Sequence, residues 1–264
     1  MKITVFTSNQ PRHLALVRRL SEISTQTYAV LECNTVFPGL VSDLFRKSDV
    51  MREYFQNVMR AEKVLYGDVQ FLPSNTRTLS IKSGDLNKLG YGELKEALSS
   101  DVYIVFGASY IKDWLVDFLV QQKAINIHMG ISPYYRGSSC NFWALYDQKP
   151  QYVGATVHLL SKGLDSGDML FHALPTLNDE EPFLFTMKAV EAAQLSLAER
   201  IGDETLFGIA PVAQDKTLEI RYTRNADFTD DVASDFLARR LNNLKLRDLY
   251  SASEGYSLLS PFYL

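Results

Sequence analysis

Cysteine is scarce in this chain, and its two residues, Cys33 and Cys140, stand in different segments without metal-ligand spacing. That scarcity argues against a disulfide scaffold and a zinc site, and it favours a reducing compartment. The net charge of −4 includes no basic run, so extensive nucleic-acid binding has no electrostatic support. No stretch approaches the roughly 20 apolar residues that span a bilayer. Residues 1–13 lack a secretory signal. We therefore expect a cytoplasmic protein without a metal.

The 264 residues are 46% hydrophobic and 22% charged, which is typical of one large globular domain or one domain with an appendage. Apolar strand-like runs alternate with amphipathic segments, which predicts an α/β fold with a mostly parallel sheet. The predicted strands are 2–7, 28–32, 78–81, 101–106, 124–128, 153–160 and 168–174, and the predicted helices are 14–20, 43–66, 90–98, 111–121, 141–146 and 180–201. We place one domain at 1–175 and a smaller C-terminal α+β region at 176–264.

Residues 124–137, with the sequence AINIHMGISPYYRG, form the centre of the predicted fold. In a strand the side chains alternate, so Asn126 and His128 leave the same face side by side. Glycine, proline and an Arg-Gly pair then end the strand and open a loop. An isolated Asn-x-His pair can also be purely structural, with the histidine bonded to the backbone and the asparagine capping a turn.

A second polar element, residues 163–168 with the sequence GLDSGD, follows thirty-seven positions after His128, counted to Asp165. Two glycines hold this aspartate in a tight turn between two strand-like runs. Alone, the segment would be an ordinary turn, since aspartate and glycine are the usual turn residues. Together with Asn126 and the Gly-Ala-Thr run at 154–156, it predicts a functional site.

The chain resembles the folate-dependent formyltransferases, whose catalytic domain has a Rossmann-like fold. Their signature is an Asn-x-His pair, a loop with proline and Arg-Gly, and an aspartate in a Gly-rich turn. Here the signature stands at Asn126, His128, Pro133, residues 136–137 and Asp165. The resemblance is good over residues 101–170, looser in the N-terminal segment and weakest in the C-terminal region.

Formyl transfer proceeds through a tetrahedral intermediate with an oxyanion, and these residue types suit it. Asn126 can donate to the oxyanion, and His128 can relay a proton from the attacking amine towards the leaving nitrogen. Asp165 would orient the imidazole and favour its charged form. Ser139 and Cys140 could suggest nucleophilic catalysis instead, but neither lies in a nucleophile elbow. We interpret those two as loop and core residues.

By resemblance, the formyl donor is 10-formyltetrahydrofolate, and its pterin binds at the loop after the strand that precedes Asn-x-His. In this sequence the corresponding residues are Phe106, Gly107, Ser109, Tyr110 and Ile111. Backbone groups and apolar side chains there suit a flat heteroaromatic ring. The alternative interpretation is an ordinary strand-to-helix connection.

Three acceptors are known in this family. The methionyl-tRNA enzymes carry a larger C-terminal domain and a basic surface, which this mildly acidic chain lacks. The glycinamide ribonucleotide enzymes open with a Gly-rich phosphate loop, whereas residues 7–13 contain no glycine. A non-catalytic folate or nucleotide sensor is a further alternative, although binding alone does not need all of Asn126, His128 and Asp165.

The third group formylates amino sugars on nucleotides for O-antigen and related lipopolysaccharides, and the runs 132–137, 141–145 and 151–156 resemble this group most. We lean towards a GDP-linked 4-amino sugar such as GDP-perosamine. A helix N-terminus after the first strand favours a phosphate there. The predicted acceptor contacts are Asn9, Arg12, His13, Tyr134, Tyr135, Arg136 and Gly137. We also expect a homodimer, with residues 218–222 as a possible interface strand.

Overall fold

The computed structural model describes residues 1–34, 48–68, 70–253 and 255–264. Its strands are β1 (Lys2–Ser8), β2 (Gln26–Cys33), β3 (Thr76–Lys82), β4 (Val102–Phe106), β5 (Ile125–His128), β6 (Tyr135–Gly137), β7 (Ala155–Leu159), β8 (Met169–Leu174), β9 (Arg221–Thr223) and β10 (Phe262–Tyr263). Its α-helices are α1 (Pro11–Glu22), α2 (Asp49–Tyr66), α3 (Tyr91–Leu94), α4 (Asp113–Gln121), α5 (Cys140–Tyr146), α6 (Pro182–Gly202), α7 (Asp230–Ala238) and α8 (Asn243–Ser251).

The main sheet has eight strands in the order β10-β8-β7-β5-β4-β1-β2-β3. Strand β7 runs antiparallel to its two neighbours, β5 and β8, and the remaining neighbours pair in parallel. This arrangement confirms the predicted mostly parallel α/β sheet. Six of the seven residues of β1 are buried, because a central parallel strand is covered on both faces. Its three central apolar residues and its threonines are all buried, as expected for such a strand.

Helices cover both faces of the sheet. On one face Val5, Ile127 and Val157 belong to a core that includes residues of α1 and α6. On the opposite face Phe6 and Val105 pack with α4 and the segment before β4. The alternation of side chains along β5 therefore directs its two isoleucines into the first core and its two polar residues towards the second face. Asn126 and His128 therefore lie on the face of the sheet where α4 covers the neighbouring strand β4.

Two predicted helices differ from the structure. The helix predicted at 43–66 begins at Asp49, where the Ser48 hydroxyl caps it by accepting from the backbone N–H of Met51. Residues 43–47 of that prediction lie outside the described residues. The helix predicted at 90–98 is instead the single turn α3 followed by a separate 3₁₀ turn at Ala97–Ser99.

The segment after residue 175 shares its packing with the main sheet. Helix α6 contributes Met187, Ala193 and Leu197 to the first core, and β10 extends the sheet by pairing with β8. The boundary at residue 175 stays a prediction. Strand β9, which we expected to serve a dimer, pairs with β6 of its own chain, and the homodimer also stays a prediction. Among the described residues no helix is long and apolar enough to cross a membrane.

Candidate functional site

The paired strands β5 and β7 place four polar side chains together at the carboxyl end of β5. In their antiparallel register Asn126 lies opposite His158, and His128 lies opposite Thr156. Residues directly opposite each other project from the same face of a sheet. The ends of neighbouring parallel strands meet at this edge, where ligands bind in open α/β sheets. The predicted pair at 126 and 128 therefore stands in a cluster of four.

The loop between β7 and β8 brings Asp165 back over this face. Asp165 adopts a left-handed backbone conformation with φ 45°, which aspartate tolerates better than most residues. The amide of Gln214 donates to the carbonyl oxygens of Asp165 and Gly167, both at 2.9 Å. A Cβ on Gly167 would lie 1.8 Å from the carbonyl oxygen of Leu159, so this close approach requires glycine. The loop is thus fixed from both sides.

Both ring nitrogens of His128 face hydrogen-bond acceptors. Nδ1 lies 3.3 Å from Asp165 Oδ2, and Nε2 lies 3.4 Å from the carbonyl oxygen of Tyr135 and 3.5 Å from Cys140 Sγ. Burial is the largest single effect and disfavours the imidazolium, but the charge of Asp165, the interaction with Cys140 and the hydrogen bonds to both together outweigh it and raise the pKa of His128 well above 6.5. The side chain is therefore a buried cation at neutral pH.

Asp165, which is half-buried, is the matching anion. Burial alone would raise its pKa, but the charge of His128 and the hydrogen bond from that imidazole lower it well below its usual value. Its second oxygen, Oδ1, accepts from the amide of Asn126 at 3.2 Å. The two predicted roles of Asp165, orienting the imidazole and favouring its charged form, agree with this geometry.

His158 holds the amide of Asn126, and the sequence analysis missed it. His158 Nδ1 lies 2.8 Å from the carbonyl oxygen of Leu159, an acceptor, so we assign the ring proton to Nδ1. Its Nε2 then accepts from Asn126 Nδ2 at 2.9 Å. Both amide hydrogens of Asn126 are thus committed, one to His158 and one to Asp165. An oxyanion that accepts from this amide must displace one of these two contacts.

The register of β5 against β7 is the signal that finds His158. His158 follows Thr156 by two residues, so both lie on the same face of their strand, just as Asn126 and His128 do on theirs. Thr156 supports the same site differently. Its hydroxyl donates to the carbonyl oxygen of Gly130 at 2.6 Å and accepts from the backbone N–H of Ser132 at 2.8 Å. It therefore fixes the start of the loop after β5.

The loop expected to hold the pterin packs closely against His13. Gly107 has φ 70°, and a Cβ there would lie 2.4 Å from His13 Nε2. The other ring nitrogen, Nδ1, lies 2.8 Å from the hydroxyl of Ser8. The ring meets Phe106 edge to face, with ring centres 4.9 Å apart. Burial lowers the pKa of His13 well below 6.5, so it is a neutral ring that supports the loop.

A buried carboxylate anchors the remainder of that loop. Glu32, at the end of β2, accepts from the backbone N–H of Ser109 at 2.5 Å and of Gly84 at 2.8 Å. The hydroxyl of the exposed Tyr110 donates to the carbonyl oxygen of Lys162, in the loop that carries Asp165. Ile111 is buried. The structure therefore joins the expected pterin loop to the Asp165 loop, while pterin binding by these residues stays a prediction.

Arg12, expected as a diphosphate contact, already has a buried anionic partner. Its guanidinium and its backbone N–H both donate to Glu62 Oε1, at 2.8 and 3.0 Å. The amide of Gln194 donates to its carbonyl oxygen at 2.6 Å. Asn9 stands beside this helix end, directly after β1, and is half-buried. Glu62 compensates the positive charge on which the expected phosphate contact depends.

Tyr134 and Tyr135 are buried, which contradicts our expectation that their rings stack on a ligand. Tyr135 is 1% exposed, and its hydroxyl donates to Asp147 at 3.0 Å. Tyr134 is 7% exposed and its hydroxyl donates to the carbonyl oxygen of Ser257 at 3.1 Å. Both rings also pack against Tyr152. The rings therefore belong to a third cluster of buried apolar residues, separate from the two that cover the main sheet. The carbonyl oxygen of Tyr135 contacts His128.

Arg136 and Gly137 are held by the C-terminal region. Arg136 Nη1 lies 2.9 Å from Glu219 Oε2, and the arginine side chain is 11% exposed. Gly137 has φ 88°, and a Cβ there would lie 2.0 Å from the carbonyl oxygen of Thr223. The structure thus brings together Asn126, His128 and Asp165 and places these two residues against β9.

Part of the chain is similar in sequence to known proteins. Residues 87–191 match the family model described as formyl transferase. The methionyl-tRNA formyltransferase of Caldanaerobacter subterraneus is 30% identical over 124 residues, which cover 46% of this chain and 40% of that protein. That of Acidobacterium capsulatum is 28% identical over 156 residues, which cover 53% of this chain and 49% of that protein. The chain thus spans less than half the length of these relatives.

Two solved structures share the fold. A 4-N formyltransferase from Francisella tularensis superposes with a TM-score of 0.55 at 17% identity, covering 86% of this chain and 77% of that chain. An N-formyltransferase from Helicobacter canadensis, solved with folinic acid and dTDP-3-aminofucose, gives a TM-score of 0.52 at 11% identity, covering 86% and 72%. At these identities the likeness establishes the fold.

Proposed function

We propose that this chain, whose residues 87–191 match the formyl transferase model, transfers a formyl group from 10-formyltetrahydrofolate to an amine. The observation that carries the proposal is the ion pair of the buried His128 with the half-buried Asp165, 3.3 Å apart, beside Asn126. A binding site for folate alone does not need a buried imidazolium. Structural ion pairs also perturb pKa values, but this one lies at the sheet edge where ligands bind.

His128 serves best as an acid in this reaction. The acceptor amine attacks the formyl carbon, the C=O electron pair moves onto oxygen, and a tetrahedral intermediate forms. The imidazolium stabilises the developing negative charge and then donates its proton to the folate nitrogen as the C–N bond breaks. The attacking amine, which has become positively charged, returns a proton to the imidazole. Asp165 keeps His128 charged between turnovers, because its own pKa stays low.

Asn126 contributes to the same step in our proposal. Its amide contacts Asp165 at 3.2 Å and His158 at 2.9 Å. An amide in that position can exchange one of these acceptors for the oxyanion, since a charged oxygen accepts more strongly than a neutral imidazole. His158 would then release Asn126 and keep its bond to the backbone of Leu159.

For the acceptor, we propose the amine of an amino sugar carried on a nucleotide, with a GDP-linked 4-amino sugar such as GDP-perosamine as the specific expectation. The support is the likeness in fold to the Francisella and Helicobacter proteins, which covers 86% of this chain. Such a product would enter the synthesis of lipopolysaccharide O-antigen. The chain's acidic balance, with a net charge of −4, gives little support to a polyanionic acceptor.

Methionyl-tRNA is the second candidate acceptor, because the two sequence relatives described above are both named methionyl-tRNA formyltransferase. A basic surface that would hold tRNA is the feature that separates the two. The chain has 27 Lys and Arg residues against 31 Asp and Glu residues. We therefore rank the nucleotide sugar first.

The test follows the release of tetrahydrofolate from 10-formyltetrahydrofolate. The protein is incubated with amino sugars on GDP, UDP or dTDP, with glycinamide ribonucleotide, or with methionyl-tRNA. We expect turnover with one nucleotide sugar. His128→Gln and Asp165→Asn should each lower kcat by about 100-fold or more, the range for loss of an acid–base group. Asp203→Asn, an exposed carboxylate after α6, is the matched control. Full activity of His128→Gln would refute the catalytic assignment.

A further inference from the structure

Strand β9 is bonded along the whole length of the loop that faces His128. The backbone N–H groups of Ile220 and Arg221 donate to the carbonyl oxygen of Tyr134, at 2.8 and 3.1 Å. Four residues after Tyr134, the backbone N–H of Ser138 donates to the carbonyl oxygen of Thr223 at 2.9 Å. The hydroxyl of Thr223 donates back to the carbonyl oxygen of Ser138 at 2.7 Å. This loop therefore cannot shift without β9.

Arg221 adds a side-chain link to the far end of the same segment. Its Nε and Nη2 donate to the two carboxylate oxygens of Asp147, at 2.8 and 2.7 Å. This is the bidentate geometry that fixes orientation as well as distance. The hydroxyl of Tyr135 donates to the same carboxylate at 3.0 Å. The guanidinium also lies over the ring of Trp143, 4.6 Å from its centre. One arginine thus ties Tyr135, at the start of the segment, to Asp147, at its end.

The segment fixed in this way supplies the groups around His128 Nε2. They are the carbonyl oxygen of Tyr135 at 3.4 Å and Cys140 Sγ at 3.5 Å. The thiol donates to the carbonyl oxygen of Gly137 at 3.4 Å, so its place depends on the same loop. A Cβ on Gly130 would lie 2.9 Å from this nitrogen. The space around the ring is therefore set by backbone positions.

We propose that Arg221 is a positioning residue for His128: through Asp147 and Tyr135 it holds the carbonyl oxygen of Tyr135 against the imidazole. The C-terminal region would then shape the reacting centre without touching a substrate. This inference rests on the proposed function for its kinetic consequence, and on geometry alone for the position of the ring. The titratable groups that face His128 are Asp165, at Nδ1, and Cys140, at Nε2.

The experiment compares the wild type with Arg221→Gln, which keeps a polar side chain and removes the fork. The kinetics are measured with the acceptor that the wild type uses. Misplacing a reacting group by an ångström can lower the reaction rate by about 100-fold. We expect Arg221→Gln to displace the imidazole by less than this. The kcat should fall by about tenfold while KM for the formyl donor changes less than about twofold. The midpoint of the His128 imidazole titration, followed by NMR, should move to lower pH because one acceptor has moved away.

Arg247→Gln is the matched control. It removes an exposed arginine of the same C-terminal region, whose partner is Asp179, and it should leave kcat and the His128 titration unchanged. Tyr135→Phe serves if Arg221→Gln does not fold, because it deletes one hydroxyl and keeps the ring. Like Arg221→Gln, it should lower both kcat and the midpoint of the His128 titration. Wild-type kcat and a wild-type His128 midpoint in the folded variant would overturn the proposal.

The proposed function and the positioning role of Arg221 can be refuted separately in this design. If the wild type shows no formyl transfer with any acceptor, the proposed function fails, and the NMR titration still decides whether Arg221 positions the ring. A lowered midpoint in Arg221→Gln supports positioning even then. An equal fall in kcat for Arg221→Gln and Arg247→Gln would indicate a general loss of stability and would count against positioning.

Discussion

We expect His172 to lower the stability of the protein in mild acid, because the structure holds this histidine buried and neutral. This residue of β8 is 1% exposed and carries no charge in its present contacts. Its Nδ1 accepts from the backbone N–H of Leu259 at 2.9 Å, so the proton is on Nε2, which donates to the carbonyl oxygen of Ser132 at 2.9 Å. A second proton would sit on Nδ1 and destroy the bond from Leu259. The buried ring is therefore held neutral.

The size of the effect follows from the pKa. Burial lowers the pKa of His172 from 6.5 to about 4, against a smaller opposing effect of the hydrogen bond to Ser132. In the unfolded chain the residue takes up a proton near pH 6.5, whereas in the folded protein it resists until about pH 4. Its stabilising contribution is therefore present above pH 6.5 and is lost as the pH falls through this window. The pKa difference corresponds to about 3 kcal/mol, of which about 2 kcal/mol is lost by pH 5.

Urea unfolding of the wild type and of His172→Gln at pH 7, 6 and 5 isolates this contribution. A glutamine amide can donate to Ser132 and accept from Leu259, and it does not titrate in this range. We expect the wild type to lose about 2 kcal/mol relative to the variant between pH 7 and pH 5. Taking the difference cancels the opposing change from His128, whose raised pKa favours the folded protein as the pH falls. Parallel stability curves for the two proteins would refute the reasoning.

Two further changes test the site and its loop. Asp165→Asn removes the negative charge that contributes most to raising the pKa of His128, so this pKa should fall. Because the proposed mechanism uses the acid form, the alkaline limb of kcat against pH should move to lower pH, and an unmoved limb would contradict the ion-pair account. Gly137→Ala places a methyl group against Thr223 at φ 88° and should lower the unfolding free energy by about 2 kcal/mol or more. Gly208→Ala, where nothing lies within 4 Å, is its control in the same urea titration.

The strand that carries Asn126 and His128 was predictable because its information is local. Alternating side chains define a face within four residues, and the residues after His128 end the strand. Asp165 was predictable from the resemblance, and its glycine-flanked turn agrees with the close approach at Gly167. In both cases the relevant physics acts within one short segment. The same holds for the parallel order of the sheet, which follows from strands alternating with helices.

The remaining site features depend on contacts between distant parts of the chain. Arg12 and Glu62 are fifty positions apart, and the sequence around Arg12 does not indicate that a buried anion will pair with it. The burial of Tyr134 is decided by Ser257, 123 positions away. His158 needed the register between two strands, which no single segment contains. A sequence pattern can identify aromatic and charged residues near a site, but only tertiary packing decides whether they are open to a ligand.

The register of β7 against β5 also sets where this chain can tolerate a change in length. Side chains repeat every two residues in a strand, so an inserted residue inside β7 would turn His158 towards the core and Val157 towards Asn126. In the loop after β7, residues 161–163 are exposed or half-buried and are contacted mainly by side chains such as Tyr110, whereas Gly167 and Asp165 fix the second half through close backbone contacts. Insertions should therefore be accepted early in that loop and rejected within β7. A few residues therefore separate a stretch that can change in length from one whose length sets the contact between His158 and Asn126.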